Sequence, residues 1–431
     1  MTSTTASTST PPDFEVRNDY KKNYTFRESF KHWWNRSNLE QSENEVLSLL
    51  PFYPNGDSKR TAQTIDVPID TDKNFIHEFN VKNIQIRDKS EDQQDHIVLI
   101  HGYGAALGFF YKNFEALTEK PGTNLHALDL LGYGLSSRPN LPHFNGNSMN
   151  DVVTVENFFV ESVESWRKKK NIDKFYLIGH SLGGYLSSLY ALKYPEHVRK
   201  LVLISPVGVE TSVYDLSSTG NDQGSERLEG PDIEREVGAH YKDTDSVAEP
   251  SLKKSSSLHV PDANGYVSRI PNLPSYLKFV WDRNLSPFSL VRFMGPWGPS
   301  ITSRWSFNRF GKTEGFENTM KLHIYSYNTF VARGSGEYAL TRLLAPGALA
   351  RYPLLSRLPK NLKVDTLWLY GDNDWMSKEA GLTIVEQINK ENSTIVGGVT
   401  ADYEIISSAG HHIYLDNPID FKNSVYKFFD W

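Results

Sequence analysis

The 431-residue sequence contains no cysteine. That absence excludes disulfides, thiolate zinc sites and cysteine nucleophiles, leaves stability to packing, and fits a reducing compartment. No stretch of about 18 uncharged apolar residues occurs, so no segment reads as a membrane-spanning helix, and any membrane contact is expected to be peripheral. Net positive charge is missing too: 46 Lys and Arg stand against 52 Asp and Glu, a formal charge of −6 with pI near 6.1. Nonspecific nucleic-acid binding therefore has no electrostatic footing. Residues Met1 to Pro12 lack the basic start and apolar run of a secretory signal, which argues against secretion. They also lack Arg and precede Asp13 and Glu15, unlike a standard mitochondrial presequence.

What is present points to one α/β core with appendages. A hydrophobic fraction of 39% and an aromatic fraction of 13% supply enough apolar surface for a substantial core. Between about residues 60 and 205, short apolar runs alternate with longer helical ones, the pattern of a mostly parallel sheet flanked by helices. His96 to Ile100, Leu125 to Leu131 and Phe175 to Ile178 are the strand candidates, with Leu201 to Ser205 following. Val152, Val155, Phe159, Val163 and Trp166 recur at helical spacing. The Lys168 to Lys170 run after them reads as a solvated helix end without function. Ser217 to Ser257 is crowded with small and charged residues and reads as an insert. Aromatic residues return from Tyr276 through Leu355 and suggest a cap. Strand character resumes at Val364 to Tyr370 and Tyr403 to Ile406, with helices near Lys378 to Ile388 and from Pro418. The expected division is an N-terminal helical extension (1–60), a first part of the core (61–207), a cap with a low-complexity insert near 217–257 (208–345), and a second part of the core (346–431). There is no internal repeat.

The chemistry centres on Gly179-His180-Ser181-Leu182-Gly183-Gly184, which follows one predicted strand and opens a helix. A serine hydroxyl becomes a useful nucleophile when a sharp strand-to-helix turn lifts it into a cleft beside a base, and that crowded turn needs small neighbours. Gly179 and Gly183 meet the demand. His101-Gly102-Tyr103-Gly104 follows another strand, where an oxyanion-binding loop belongs, and the backbone amides of Tyr103 and Leu182 are the candidate donors. The His101 side chain reads as structural. A triad acid is expected at the end of a later strand, where Gly371-Asp372-Asn373-Asp374 stands. Asp374 is favoured; Asp372 competes, since one of the two carboxylates can instead cap the helix after Ser377. The base comes last: His411, directly after Gly410, with His412 as the alternative. Ser181, Asp374 and His411 thus occur in the chain order that this arrangement requires.

At these residues the sequence resembles α/β-hydrolases of the ABHD4/ABHD5 (CGI-58) type, with their fungal relatives, the cardiolipin-specific deacylase and lysophosphatidate acyltransferase-like proteins. The likeness covers most of the chain. It rests on His101-Gly-Tyr-Gly-Ala105, Asp129-Leu-Leu-Gly-Tyr-Gly-Leu-Ser-Ser-Arg-Pro139, Gly179-His-Ser-Leu-Gly-Gly184 and Gly410-His411-His-Ile-Tyr-Leu-Asp416, with Ser286 to Pro296 as a further cap likeness. The CGI-58 branch lacks a serine nucleophile, whereas this chain has Ser181, a departure that favours an active hydrolase. The resemblance implies an α/β-hydrolase fold and a phospholipid acyl hydrolase, acting on cardiolipin or a related glycerophospholipid at a mitochondrial or lipid-droplet membrane surface. It also brings the His-x4-Asp pattern of glycerolipid acyltransferases, matched by His411 and Asp416. In one account Asp416 and Asn417 simply cap the last helix before Pro418. In the other, Asp416 supports His411 in acyl transfer from acyl-CoA to lysophosphatidic acid. A noncatalytic lipid-binding or lipase-regulating module is the third reading. No metal or redox cofactor is required, and acyl-CoA enters only as co-substrate of the transfer.

The N-terminal segment adds to the lipid reading. Phe26, Phe30, Trp33 and Trp34 fall on one helical side with Arg27, Lys31 and Arg36 nearby, which suits a membrane interface, while packing on the core or cap is the alternative. Arg292, Arg304 and Arg309 are candidates for a phosphate contact.

Overall fold

A computed structural model of the protein describes residues 23–71, 73–85, 94–142, 148–217, 281, 283–311 and 313–431, and the backbone of 257–261 and 267–271. The insert expected near 217–257 lies, apart from its two ends, outside the described residues, as do the first 22 residues.

Eight strands form the central sheet: β1 (Arg60–Pro68), β2 (Phe75–Asn83), β3 (Asp95–Ile100), β4 (Thr123–Leu128), β5 (Phe175–His180), β6 (Val198–Ile204), and, after the short pairs β7 (Ser257–Pro261) with β8 (Val267–Pro271) and β9 (Leu344–Ala345) with β10 (Leu349–Ala350), β11 (Thr366–Gly371) and β12 (Ala401–Ile406). Their order is β1-β2-β4-β3-β5-β6-β11-β12. Strands β4 to β12 in that order run parallel, while β1 and β2 are antiparallel at one edge. This is the expected α/β-hydrolase architecture. The antiparallel edge was not anticipated, because β1 (Arg-Thr-Ala-Gln-Thr-Ile-Asp-Val-Pro) is mostly polar and largely exposed.

Successive residues of β3 point to opposite faces, as strand geometry requires. Val98 and Ile100 join one buried cluster, containing Val155, Phe159 and Trp166 of α3 (Met149–Lys169) and Tyr185 and Leu189 of α4 (Leu182–Lys193). Ile97 and Leu99 join the other, with Phe110, Tyr325, Tyr414 and Phe428. Burial on both faces explains why the parallel strands read as continuous apolar runs. Helix α3 starts at a capping box in which Ser148 and Asp151 satisfy each other's backbone amides. At its other end, Lys168 and Lys169 are exposed, as the reading of a solvated helix end has it, with Lys168 pairing with Glu164 at 3.3 Å; Lys170 departs from that reading, reaching the fully buried Glu78 carboxylate at 3.2 Å because a buried acid draws a nearby cation inward.

Between β6 and β11 the chain forms α5 (Pro287–Phe293), α6 (Gly298–Phe310) and α7 (Phe316–Val331). The N-terminal helices α1 (Phe26–Trp34) and α2 (Leu39–Leu47) pack on them. The Tyr24 amide donates to Ser303 Oγ at 2.8 Å, and Ser29 Oγ both donates to Pro296 O (2.6 Å) and accepts from the Ser300 amide (2.9 Å). Glu43 of α2 is buried between His77 of β2, at 2.8 Å, and the Tyr325 hydroxyl of α7, which donates to it at 3.2 Å. The other ring nitrogen of His77 meets Asp66 at 2.6 Å. Burial works against protonation of His77, but the hydrogen bonds to Asp66 and Glu43 outweigh it and raise its pKa to about 10. No helix among the described residues is long and apolar enough to cross a membrane.

Helix α8 (Lys378–Asn392) follows β11 and is capped by Ser377, whose Oγ accepts from the Ala380 amide. Helix α9 (Pro418–Phe429) closes the described chain against Phe110 and Tyr176. Its cap is Asn417, accepting from the Asp420 amide at 3.1 Å, with Pro418 in the first turn. Asp416 is not a cap, contrary to the simpler of the two accounts given to it; its carboxylate turns toward the loop before His411.

Candidate active site

All the singled-out chemistry lies at the C-terminal ends of parallel strands, where loops from β3, β5, β6, β11 and β12 converge. Ser181 occupies the junction of β5 and α4 with φ 55° and ψ −117°. Few non-glycine residues hold such a conformation, which costs on the order of 1–3 kcal/mol and persists only where surroundings enforce it. Three backbone bonds enforce it here: the Ser181 amide donates to Ile204 O at 2.9 Å, and Ser181 O accepts from the amides of Tyr185 at 3.1 Å and Val207 at 3.3 Å. The turn is tight enough to specify its neighbours. A Cβ on Gly183 would overlap the carbonyl oxygens of Ile100 and His101, and one on Gly102 would sit 2.9 Å from Ser181 Cβ.

Ser181 Oγ is 3.0 Å from His411 Nε2, and His411 Nδ1 is 3.1 Å from Asp374 Oδ1. A carboxylate only accepts, so Nδ1 carries the proton and Nε2 is left to accept from the serine hydroxyl. The Asp374 side chain is completely buried. Burial pushes its pKa up, but the hydrogen bond and charge of His411, with the Met376 amide and the Ser205 hydroxyl, outweigh it and hold the carboxyl below its ordinary range. Ser205, in a positive-φ turn just after β6, was not singled out from the sequence, where it reads only as the end of a strand.

Asp372 does other work. Exposed, it accepts from the amides of Ser408 (3.0 Å) and Ala409 (2.9 Å), and those bonds lower its pKa. It neither touches His411 nor caps α8. The loop it grips continues to Gly410, whose amide donates to Asp416 Oδ2 at 2.9 Å, while Asp416 Oδ1 forms an ion pair with Arg309 of α6 at 2.7 Å. Asp416 thus approaches the backbone before His411, and the structure gives it no hydrogen bond to the ring.

His180 also supports His411. Its Nε2 donates to His411 O at 2.9 Å, and burial drives its pKa well below the usual histidine value, so it stays neutral. His412 is half-buried, its pKa driven well below the usual histidine value by desolvation, and its ring lies 5.4 Å from that of His411 at a steep angle. It makes no contact with Ser181. His101 is fully buried: Nδ1 donates to Gly102 O (2.8 Å) and Nε2 accepts from the Leu130 amide (3.0 Å). Burial lowers its pKa to about 4. Its side chain therefore fixes the Gly102 loop, as expected. The amide of Leu182, first in its helix, has no intrahelical acceptor and stands beside Ser181; the amide of Tyr103 makes no backbone hydrogen bond either.

The Asp129 to Pro139 segment proves architectural. Asp129, fully buried, accepts from the Leu107 and Leu135 amides at 2.8 and 2.7 Å, and Arg138 donates to the carbonyls of Gly132, Gly134 and Arg333. Above the site, Phe288 of α5 lies 5.2 Å from the Tyr103 ring. Of the three arginines considered for phosphate, Arg292 is taken by Glu337 and Arg309 by Asp416, while Arg304 is exposed.

Comparison with known proteins places this geometry among relatives. Residues 95–418 match the family described as the alpha/beta hydrolase fold. A probable 1-acylglycerol-3-phosphate O-acyltransferase of Oryza sativa subsp. japonica is 32% identical over 342 residues, covering 78% of this chain and 67% of that protein. A (lyso)-N-acylphosphatidylethanolamine lipase of Bos taurus is 27% identical over 383 residues, covering 89% of this chain and 88% of that one. Among solved structures, naproxen esterase from Bacillus subtilis is similar in fold, with TM-score 0.52 at 14% identity over 91% of this chain and 96% of that one.

Proposed function

We propose a lipid acyl-ester hydrolase function for this chain, which belongs to the α/β-hydrolase family. The observation that carries the reading is the hydrogen-bonded series Ser181, His411, Asp374. In the proposed reaction Ser181 Oγ attacks an ester carbonyl while His411 Nε2 takes its proton. Charge developing on the carbonyl oxygen meets the amides of Tyr103 and Leu182, in a site whose small flanking residues keep the approach open. His411 then returns the proton to the leaving alcohol oxygen, and water releases the acyl group from Ser181 by the same steps in reverse. Asp374 holds the ring in the required tautomer and balances its transient positive charge.

The proposed substrate is a glycerophospholipid, cardiolipin or a related lipid, met at a mitochondrial or lipid-droplet surface. Support comes from the relatives, whose names are those of lipid acyl enzymes, and from the outer face of the molecule. There the rings of Trp34, Phe30 and Phe26 run on to Trp297, which lies 4.3 Å from Phe26. Phe30 is 44% exposed, Trp34 70% and Phe293 88%, a cost in water that burial in an interface removes. Exposed Arg27, Lys31 and Arg304 stand on the same helices and suit anionic headgroups. From this face a series of rings leads inward, Trp305 to Phe330 (5.5 Å), Phe330 to Phe288 (4.9 Å) and Phe288 to Tyr103, a lining suited to an acyl chain.

A second reading, acyl transfer from acyl-CoA to lysophosphatidic acid, is favoured by the name of the rice relative. Both reactions share an acyl group on Ser181 and differ in the acceptor. One experiment tests them: purified wild-type and Ser181→Ala proteins are incubated with mixed phospholipids, lysophosphatidic acid and acyl-CoA, and every lipid class is followed by mass. Serine-dependent release of fatty acid supports hydrolysis, and serine-dependent gain of phosphatidic acid supports transfer. Identical lipid profiles for the two proteins, with no fluorophosphonate labelling of the wild type, would leave only the noncatalytic lipid-binding module.

A further inference from the structure

We infer that Asp416 and Arg309 act as a pair of positioning residues that fasten the cap helix α6 to the loop carrying His411. The assignment rests on the serine-hydrolase reading and gives the His-x4-Asp pattern a role other than handling an acyl acceptor. Three successive amides precede the base, and each ends on a carboxylate: Ser408 and Ala409 on Asp372, Gly410 on Asp416. Asn417 adds a fourth hold, its side-chain amide donating to Ser407 O at 3.1 Å. His411 enters the site from a loop held at three successive amides and at the carbonyls of Ser407 and Ala409.

The two acids differ in what stands behind them. Asp372 is exposed and belongs to the same strand end as Asp374, so it ties the loop only to the core. Asp416 divides its oxygens between the Gly410 amide and the Arg309 guanidinium, and Arg309 lies 107 positions away on a helix of the cap. Both side chains of this pair are about four-fifths buried, where solvent screens an ion pair less than at the surface. On α6, Ile301, Trp305 and Arg309 are spaced by four, which aligns them along one side of the helix. Along that side Ile301 and Trp305 are exposed, and Arg309, at its C-terminal end, is covered where it meets Asp416. The helix that presents rings to the outside thereby also sets the position of Asp416, and through the Gly410 amide the position of His411. A shift of α6 loosens the base from Ser181 without touching either residue.

The test uses the full chain and a fluorophosphonate that reports the reactivity of Ser181 directly. Asp416→Asn keeps an acceptor for the Gly410 amide but removes the ion pair; Arg309→Gln removes it from the other side. Each is expected to slow Ser181 labelling and hydrolysis of a short soluble ester by the same factor, roughly ten- to hundredfold, as small misplacements of a catalytic group do. KM for that ester stays unchanged, Arg309→Lys restores most of the rate, and the double variant is no slower than either single one. If Asp416→Asn fails to fold, Arg309→Gln and Arg309→Lys carry the test. Wild-type labelling rates in Asp416→Asn and Arg309→Gln, with loss only of acyl transfer to lysophosphatidic acid, would overturn the assignment and return Asp416 to acceptor chemistry. Losses that multiply in the double variant would also overturn it. Absence of labelling in the wild-type chain would instead remove the serine-hydrolase reading beneath it.

Discussion

Around Ser181, the Asp374 carboxylate, the His411 ring and the loop before it are held by a backbone amide, a carboxylate or a buried neutral histidine. On the outer face of α1 and α6, by contrast, Phe30, Trp34 and Trp305 are exposed, Phe30 stacked on Trp34 and Trp305 set against the rings of Phe310 and Phe330. The site floor gains fixed geometry from strand ends that converge from five directions. The outer face leaves apolar surface unpaired, at a cost of roughly 1.5–3 kcal/mol for each large side chain that burial would recover. The contrast teaches that the tightly bonded serine site and the bare apolar face are separate parts of the molecule, joined through the cap.

The sharpest way to break that comparison is at the floor. Ser181→Ala is expected to lower turnover on any ester by about 10⁴-fold or more and to abolish fluorophosphonate labelling, measured by mass and by gel. Asp374→Asn should follow at roughly 10³- to 10⁴-fold, because an amide in place of the carboxylate lets Nε2 rather than Nδ1 carry the proton; the same labelling assay, with circular dichroism to confirm folding, reads it. At the outer face the double variant Phe30→Ser/Trp34→Ser is expected to weaken binding to anionic phospholipid vesicles by tenfold or more, leaving turnover of a short soluble ester as it was. A fall in both would erase the division between the two regions. Asp372→Asn should cost only a few-fold in turnover, since an amide oxygen still accepts from one of the two loop amides.

The smallest expected effect concerns the joint between the regions. His77 has a pKa raised to about 10 in the folded chain against about 6.5 when unfolded. Its contribution to stability is therefore whole below about pH 6.5 and is lost as pH rises toward 10. The difference in Tm between the parent and His77→Gln should be largest near pH 6 and shrink by pH 10; a constant difference would mean that the contacts of His77 matter and its charge does not.

Ser181, Asp374 and His411 were legible in the sequence because each stands directly after a parallel strand, and buried strands announce themselves as apolar runs. Asp374 and Asp372 were separable only in order of preference, since two carboxylates in one turn differ in direction and not in spacing. The role of Asp416 was illegible for another reason: its partner Arg309 is brought to it by the packing of α6, and no local pattern records that meeting. Strand β1 escaped notice because an exposed edge strand keeps polar residues on both sides. Glu43 and Ser205 are single polar residues whose burial comes wholly from tertiary contacts, so the chain around them carries no sign of it.

Tyr24, near the start of the described chain, has its amide on Ser303 and its ring 4.6 Å from that of His323 and 5.6 Å from that of Phe307. It sets an inner limit on processing. Any peptidase that trims the N-terminus and leaves this fold intact has to stop before Tyr24, because a cut beyond it uncovers the histidine and phenylalanine rings of the cap, and one beyond Glu43 unseats His77 as well.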